Sequence, residues 1–156
     1  AEGASSLGDC RATGWNIKVF RVPDGTDVMP AAAAPGSLVG QSTSLRVVDI
    51  NGQGAFRSFV PGCPDAWFAW SIEGVVPIAQ GGDYQFATTS DDGSLLYYDP
   101  APLPTLDATG GGLMLAPEAL GRPRKFQLLV DDDGLHGAVT RTRTVTLAPG
   151  AYAVRA

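Results

Sequence analysis

Apolar and polar residues alternate along much of this chain, in runs too short for helices and cut by glycine and proline. Over residues 15–22, Trp15, Ile17 and Val19 share one face while Asn16, Lys18 and Arg21 fall mostly away from it, which predicts a strand. Residues 23–43 are rich in Ala, Pro, Gly and Asp, with Pro30 and Pro35 bracketing an alanine run. They read as a long surface loop with room for one short helical turn. Residues 45–50 predict a strand ended by the Asn51-Gly52 turn. Residues 66–76 are apolar and aromatic, which places Trp67, Phe68 and Trp70 in the core. Gly81-Gly82-Asp83 predicts a turn, after which Tyr84, Phe86 and Thr88 alternate with Gln85, Ala87 and Thr89. Further strands are expected at 95–98, 126–130, 140–147 and 152–154, the last after a Pro149-Gly150 turn. Residues 100–125 break the rhythm with five prolines and the run Gly110-Gly111-Gly112, and read as an excursion holding a short helix or hairpin. Short strands at this spacing, with no long helix, predict an all-β fold: an antiparallel sandwich or barrel, in one domain over 1–156.

Composition narrows the class. The chain has 156 residues, 44% of them hydrophobic, enough for one real core. Its 20 glycines and 12 prolines favour turns over helices. A formal net charge of −5 argues against nucleic acid as a partner, because phosphate binding needs a basic surface. No apolar run is long enough to span a bilayer. Cys10 and Cys63 lie far apart, no Cys-x-x-Cys occurs, and His136 is the single histidine. A zinc or redox site is therefore poorly supported. A Cys10–Cys63 disulfide is the preferred reading, with two separate buried thiols as the alternative. Closing that loop would stabilise the fold by about 4 kcal/mol in the chain-entropy model. A disulfide implies an oxidising, extracellular compartment. The start Ala1-Glu2-Gly3-Ala4-Ser5-Ser6 accordingly reads as a processed end.

Chemistry concentrates in two stretches, Ser90-Asp91-Asp92-Gly93-Ser94 and Val130-Asp131-Asp132-Asp133-Gly134-Leu135-His136-Gly137. Each follows a strand-like run and sets carboxylates beside a glycine. Carboxylates at this density repel one another unless a cation joins them, and hard oxygen ligands suit Ca2+. The spacing is not that of an EF-hand, since the loop would begin at Leu129 and end at Thr140, where carboxylates are required. Arg141 and Arg143 read as a solvated strand face.

These stretches, in order with Gly82-Asp83-Tyr84-Gln85-Phe86 and Val145-Thr146-Leu147-Ala148-Pro149-Gly150-Ala151-Tyr152, resemble the PA14 domain, a β-sandwich module of adhesins and glycosidases. The resemblance implies a sandwich with a long insertion at 100–125, close to the site, and one strand fewer than usual at the end, which would leave an open sheet edge. It also implies a calcium-dependent lectin. Asp91 and Asp92, joined by a cis peptide, would be the primary metal ligands. Asp132 stands where relatives often carry Asn and would add a side chain, with the carbonyls of Gly134 and Leu135 completing the shell. Asp91, Asp92, Asp133, Tyr98 and His136 would face the sugar, and a carbohydrate or glycoprotein would be the partner. The insertion and the open edge suggest an alternative: a subunit of an extracellular assembly that binds other copies or other subunits. Catalysis is not expected. There is no Gly-x-Ser-x-Gly elbow, and a glycosidase acid needs an apolar pocket rather than a carboxylate cluster.

Overall fold

The computed structural model describes residues 15–30, 33–45, 48–51, 53–107, 113–119 and 121–156. Over these the chain is an all-β antiparallel sandwich. Its main layer is a six-stranded sheet in the order β2-β1-β3-β10-β5-β8. The strands are β1 (Trp15–Arg21), β2 (Leu38–Leu45), β3 (Phe68–Ile78), β5 (Ser94–Tyr98), β8 (Gln127–Asp132) and β10 (Gly150–Arg155). A ribbon of β4 (Gly82–Ser90) and β9 (Val139–Leu147) lies across part of one face. A short helix, α1 (Gln53–Phe59), covers the rest of that face.

The pleat decides which side chains go where. On β1, Ile17 and Val19 are fully buried, and they pair in register with Ile72 and Trp70 of β3. Phe56 of α1 packs onto this layer with Val60 and Cys63, its ring edge-on to Phe68 at 5.2 Å. Further along the same face, Val76, Tyr152 and Val154 meet Tyr84, Phe86, Val145 and Leu147 of the ribbon. Trp15 joins the two clusters. Its indole lies directly over Gly74, where a Cβ would stand only 2.3 Å from Trp15 Cε3. Only glycine leaves room for the ring there.

β10 is buried on both faces. Tyr152 and Val154 face the ribbon, whereas Ala151 and Ala153 face Leu103, Leu115 and Ala119 of the 100–125 segment. That segment holds the expected hairpin, β6 (Thr105–Asp107) with β7 (Leu113–Leu115), and a 3-10 turn at Pro117–Ala119. The buried carboxylate of Asp99 ties its two ends together, with Oδ1 accepting from Ala101 N at 3.0 Å and Oδ2 from Lys125 N at 3.1 Å. Arg155 closes the same side, its guanidinium 4.5 Å from the centre of the Phe126 ring and 5.1 Å from that of Tyr97.

Two expectations change here. The second strand is 38–45, not 45–50, because its polar Gln41, Ser42 and Thr43 suit an outer strand that pairs with β1 alone. Gly82 and Asp83 already belong to β4, so the reversal before it is one step earlier, at Gln80. β10 is a central strand, pairing with β3 on one side and β5 on the other. β10 nevertheless covers only part of its neighbours. Among the described residues, 68–71 of β3 and 94–96 of β5 have a strand on one side only. Cys63 is buried with a free thiol, and Cys10 lies outside the described residues. No helix is long and apolar enough to cross a membrane among the described residues.

Packing of Trp15 on Gly74 gives a direct test. Gly74→Ala should lower the unfolding free energy in urea by about 1–3 kcal/mol, the usual cost of overpacking a core. Gly54→Ala, on α1 with nothing within 4 Å, should instead be neutral or raise it by up to about 1 kcal/mol.

Candidate functional site

The two acidic stretches meet. β5 and β8 pair from Ser94↔Asp132 upward, so the turns that precede β5 and follow β8 stand back to back at one end of the sheet. They touch backbone to backbone: a Cβ on Gly93 would lie 2.6 Å from Gly134 N. The amide of Asp92 donates to the carbonyl of His136 at 2.8 Å, closing the pair. Gly134 takes φ 112 and Asp92 φ 64. The Asp91–Asp92 peptide is trans, not the cis bond expected, and the left-handed backbone of Asp92 makes the reversal instead.

Asp132 stands apart from the other acidic residues. Its side chain is 2% exposed and points between the layers, where it meets inward-facing residues of the ribbon. Arg141 donates from Nε to Oδ1 at 3.1 Å, and Ser90 donates to Oδ2 at 3.3 Å. His136 Nε2 lies 3.5 Å from Oδ1. Arg141 therefore carries more than a solvated face: its far end is exposed, but its Nε neutralises a buried charge. The His136 ring is turned the same way, its Nδ1 2.8 Å from the Gly137 carbonyl and its Nε2 3.1 Å from that of Asp132. Only an imidazolium has an N–H for each. The Gly137 carbonyl, then that of Asp132, hold the His136 pKa above its ordinary value, against the lowering by desolvation and by Arg141.

The open side of this end is a cleft. A strap formed by residues 22–30 leaves β1, turns at Pro23-Asp24-Gly25-Thr26 with Gly25 at φ 85, and crosses to the second acidic turn. There Met29 N donates to Asp133 Oδ1 at 2.8 Å, and Gly134 N donates to the same oxygen at 2.9 Å. Between the strap, the start of β3 and the two turns lies a pocket lined by Asp27, Val28, Trp67, Asp92, Asp133 and Leu135 among others. Trp67 is not core: it is 39% exposed and adopts φ 55, its carbonyl held by Val22 N at 2.9 Å. Phe68, Trp70 and Ile72 take one face of β3, whereas Trp67 precedes the strand and its left-handed backbone takes it out of the pleat. Val28 and Leu135, 59% and 61% exposed, add an apolar rim. Both non-glycine residues with positive φ among the described residues, Trp67 and Asp92, line this one cleft. Each such conformation costs about 1–3 kcal/mol, and it is concentrated where a ligand would sit.

Of the residues expected to hold metal or ligand, the structure brings Asp92, Asp133, Gly134 and Leu135 to the cleft. Asp91 is exposed beside them but does not line it. Tyr98 packs between the layers with Leu96 and Val145, because the other tyrosine, Tyr97, takes the opposite face under Arg155. His136 supports the turns from behind. The described part of the 100–125 segment, expected near the site, lies on the far face of the sheet against Ala151 and Ala153. Asp132 is engaged by Arg141 and Ser90, and one oxygen of Asp133 accepts from two amides. Among the described residues no three His, Cys, Asp or Glu side chains are placed to hold a metal ion. No family model matches the chain, and no curated protein matches it significantly.

Raising a folded-state pKa gives stability that is complete below the unfolded value, about 6.5, and is lost as pH rises through the folded value. The melting temperature of the wild type should therefore fall relative to that of His136→Gln as pH is raised from about 6 to about 9. Parallel curves for the two proteins would show that the ring does not act as the imidazolium.

Proposed function

We propose that the chain is an extracellular carbohydrate-binding module of the PA14 kind, secreted or held at a cell surface, whose partner is a glycan or glycoprotein. The observation that carries this reading is the exposed indole of Trp67 on the rim of a cleft that also carries carboxylates. A pyranose has a C–H face and a ring of hydroxyls. An indole covers the first, and carboxylates accept strong hydrogen bonds from the second. Asp92, Asp133 and Asp27 fill the acceptor role, with Leu135 and Val28 bounding the ring. In this reading the carboxylates contact the sugar directly, without Ca2+. The strained backbone of Trp67 also supports it, since packing alone would not select φ 55 for a large side chain.

Trp67→Gly separates stability from binding. Glycine relieves about 1–2 kcal/mol of left-handed strain, roughly offsetting the packing lost with a half-exposed indole. The variant should stay within about 1 kcal/mol of wild type in urea, yet bind at least about tenfold more weakly to whichever oligosaccharide a glycan array selects. Repeating the titration with EDTA and with millimolar CaCl2 should leave the affinity unchanged. Binding that needs CaCl2 would restore the metal-bridged form of the reading, and wild-type affinity in Trp67→Gly would remove the site.

A second reading has its own observation. Among the described residues, 68–71 of β3 and 94–96 of β5 have a strand on one side only, and a partner's strand in line with β10 would pair with both. That would make the chain a subunit of an extracellular assembly. Size-exclusion chromatography distinguishes the two. A monomer that an immobilised glycan retains in EDTA fits the module, whereas oligomers indifferent to sugar and calcium fit the assembly.

A further inference from the structure

The main sheet has a slot in it. β10 holds β3 and β5 two strand spacings apart, about 9.5 Å. Its pairing runs as far as Ala156, which exchanges both backbone bonds with Ile72, at 2.7 and 2.8 Å. Past that point, among the described residues, no strand lies between 68–71 of β3 and 94–96 of β5. The two sides stay apart to the far end, where Phe68 and Ala69 on one and Asp92 and Gly93 on the other line the cleft.

The walls of the slot are set for pairing. In an antiparallel ladder, alternate residues turn both N–H and C=O to the same neighbour. Ile72 turns both to Ala156, so Trp70 and Phe68 turn theirs into the slot. Asp99 N donates to Ala153 O at 2.9 Å, so Tyr97 turns to Arg155 and Leu95 to the slot. Arg21 keeps the same count: its N–H goes outward to Ser37, not to its register partner Phe68. Leu95, Trp70 and Phe68 thus each offer a donor and an acceptor, in the register of β10, with no partner among the described residues.

This geometry restricts the occupant. A strand in the slot uses both its edges, one on β3 and one on β5. The outer strand of a folded sheet has only one edge free, so it cannot enter. An extended arm that leaves its own fold can. The pleat sets the pattern of that arm. Its first and third residues fall beside Ser71, Leu95 and Ala69, and its second and fourth beside Trp70, Ser94 and Phe68. Phe68 and Trp70 belong to the core under α1, so apolar side chains at the second and fourth positions extend it. The second residue gives its N–H to Trp70, which excludes proline there. Resting on the assembly reading above, we propose that the slot receives a free extended arm of a partner subunit. The arm lies antiparallel to β3 and β5, runs from Ala156 toward the cleft, and carries apolar second and fourth residues.

The test is amide hydrogen exchange, followed by NMR on the full chain, with acetyl-Thr-Val-Thr-Val-amide at millimolar concentration as the probe. The amides of Phe68, Trp70 and Leu95 should exchange at least about tenfold more slowly in its presence. Acetyl-Thr-Pro-Thr-Val-amide lacks the N–H that Trp70 accepts and should leave them unchanged. The same Thr-Val-Thr-Val appended after Ala156 needs no high peptide concentration and should protect the same amides. Protection by neither the free nor the appended residues overturns the inference. Equal protection by the proline peptide overturns it too, by showing mere adhesion. Protection by the appended residues alone overturns the partner's role, because the slot then accepts only a covalently continuous strand. Oligomers that form on size-exclusion chromatography while the probe leaves the three amides unprotected keep the assembly reading and remove the slot from it.

Discussion

Asp132 is a carboxylate inside a protein, and the acidic end of the sandwich is built around satisfying it. An ion with 2% of its side chain exposed needs partners, and no single strand can supply them. Asp132 takes Ser90 from β4 and Arg141 from β9 while its own strand pairs with β5. One charge therefore joins the ribbon to the main sheet at the acidic end. The close contact of Gly93 with Gly134 and the bond from Asp92 to the His136 carbonyl follow, because both turns must fold over this buried group. The cleft is what remains outside. Its carboxylates face solvent because the interior charge has already taken the nearby arginine.

The main sheet is built in three layers across its centre. β10 runs Ala-Tyr-Ala-Val, with small side chains toward the 100–125 segment and large ones toward the ribbon. Small residues let the segment come close to the sheet, and large ones fill the deeper space under the ribbon. The segment is therefore a third layer rather than a wall of the cleft. The strap of residues 22–30 takes that role, held by its hydrogen bond to Asp133.

Alternation made β1, β4 and β9 legible, whereas β3 stood out as an apolar and aromatic run and β10 by the turn before it. β2 was not legible, since an outer strand with polar residues looks like the loop that precedes it. α1 escaped because seven residues with Phe56 and Phe59 hardly define a period. The meeting of the two acidic stretches was expected only through the resemblance, which implies one site built from both. Which carboxylates would be free was not legible. That depends on Arg141 reaching across from another strand, a pairing no local pattern encodes. Trp67 reads as core beside Phe68 and Trp70 because nothing local signals the left-handed bend that takes it out of the strand. Asp27 and Val28 carried no signal beyond their place in a polar loop.

Asp99 gives the molecule a place to vary. Both ends of the 100–125 segment return to one buried carboxylate, so the sandwich meets the segment as a closed bracket rather than as two loose strands. Whatever is written between the brackets is mechanically insulated from the acidic end on the opposite face. Lengthening the hairpin or grafting a foreign epitope there leaves the two acidic turns undisturbed. A lineage, or an engineer, can change that side of the molecule without rebuilding the cleft.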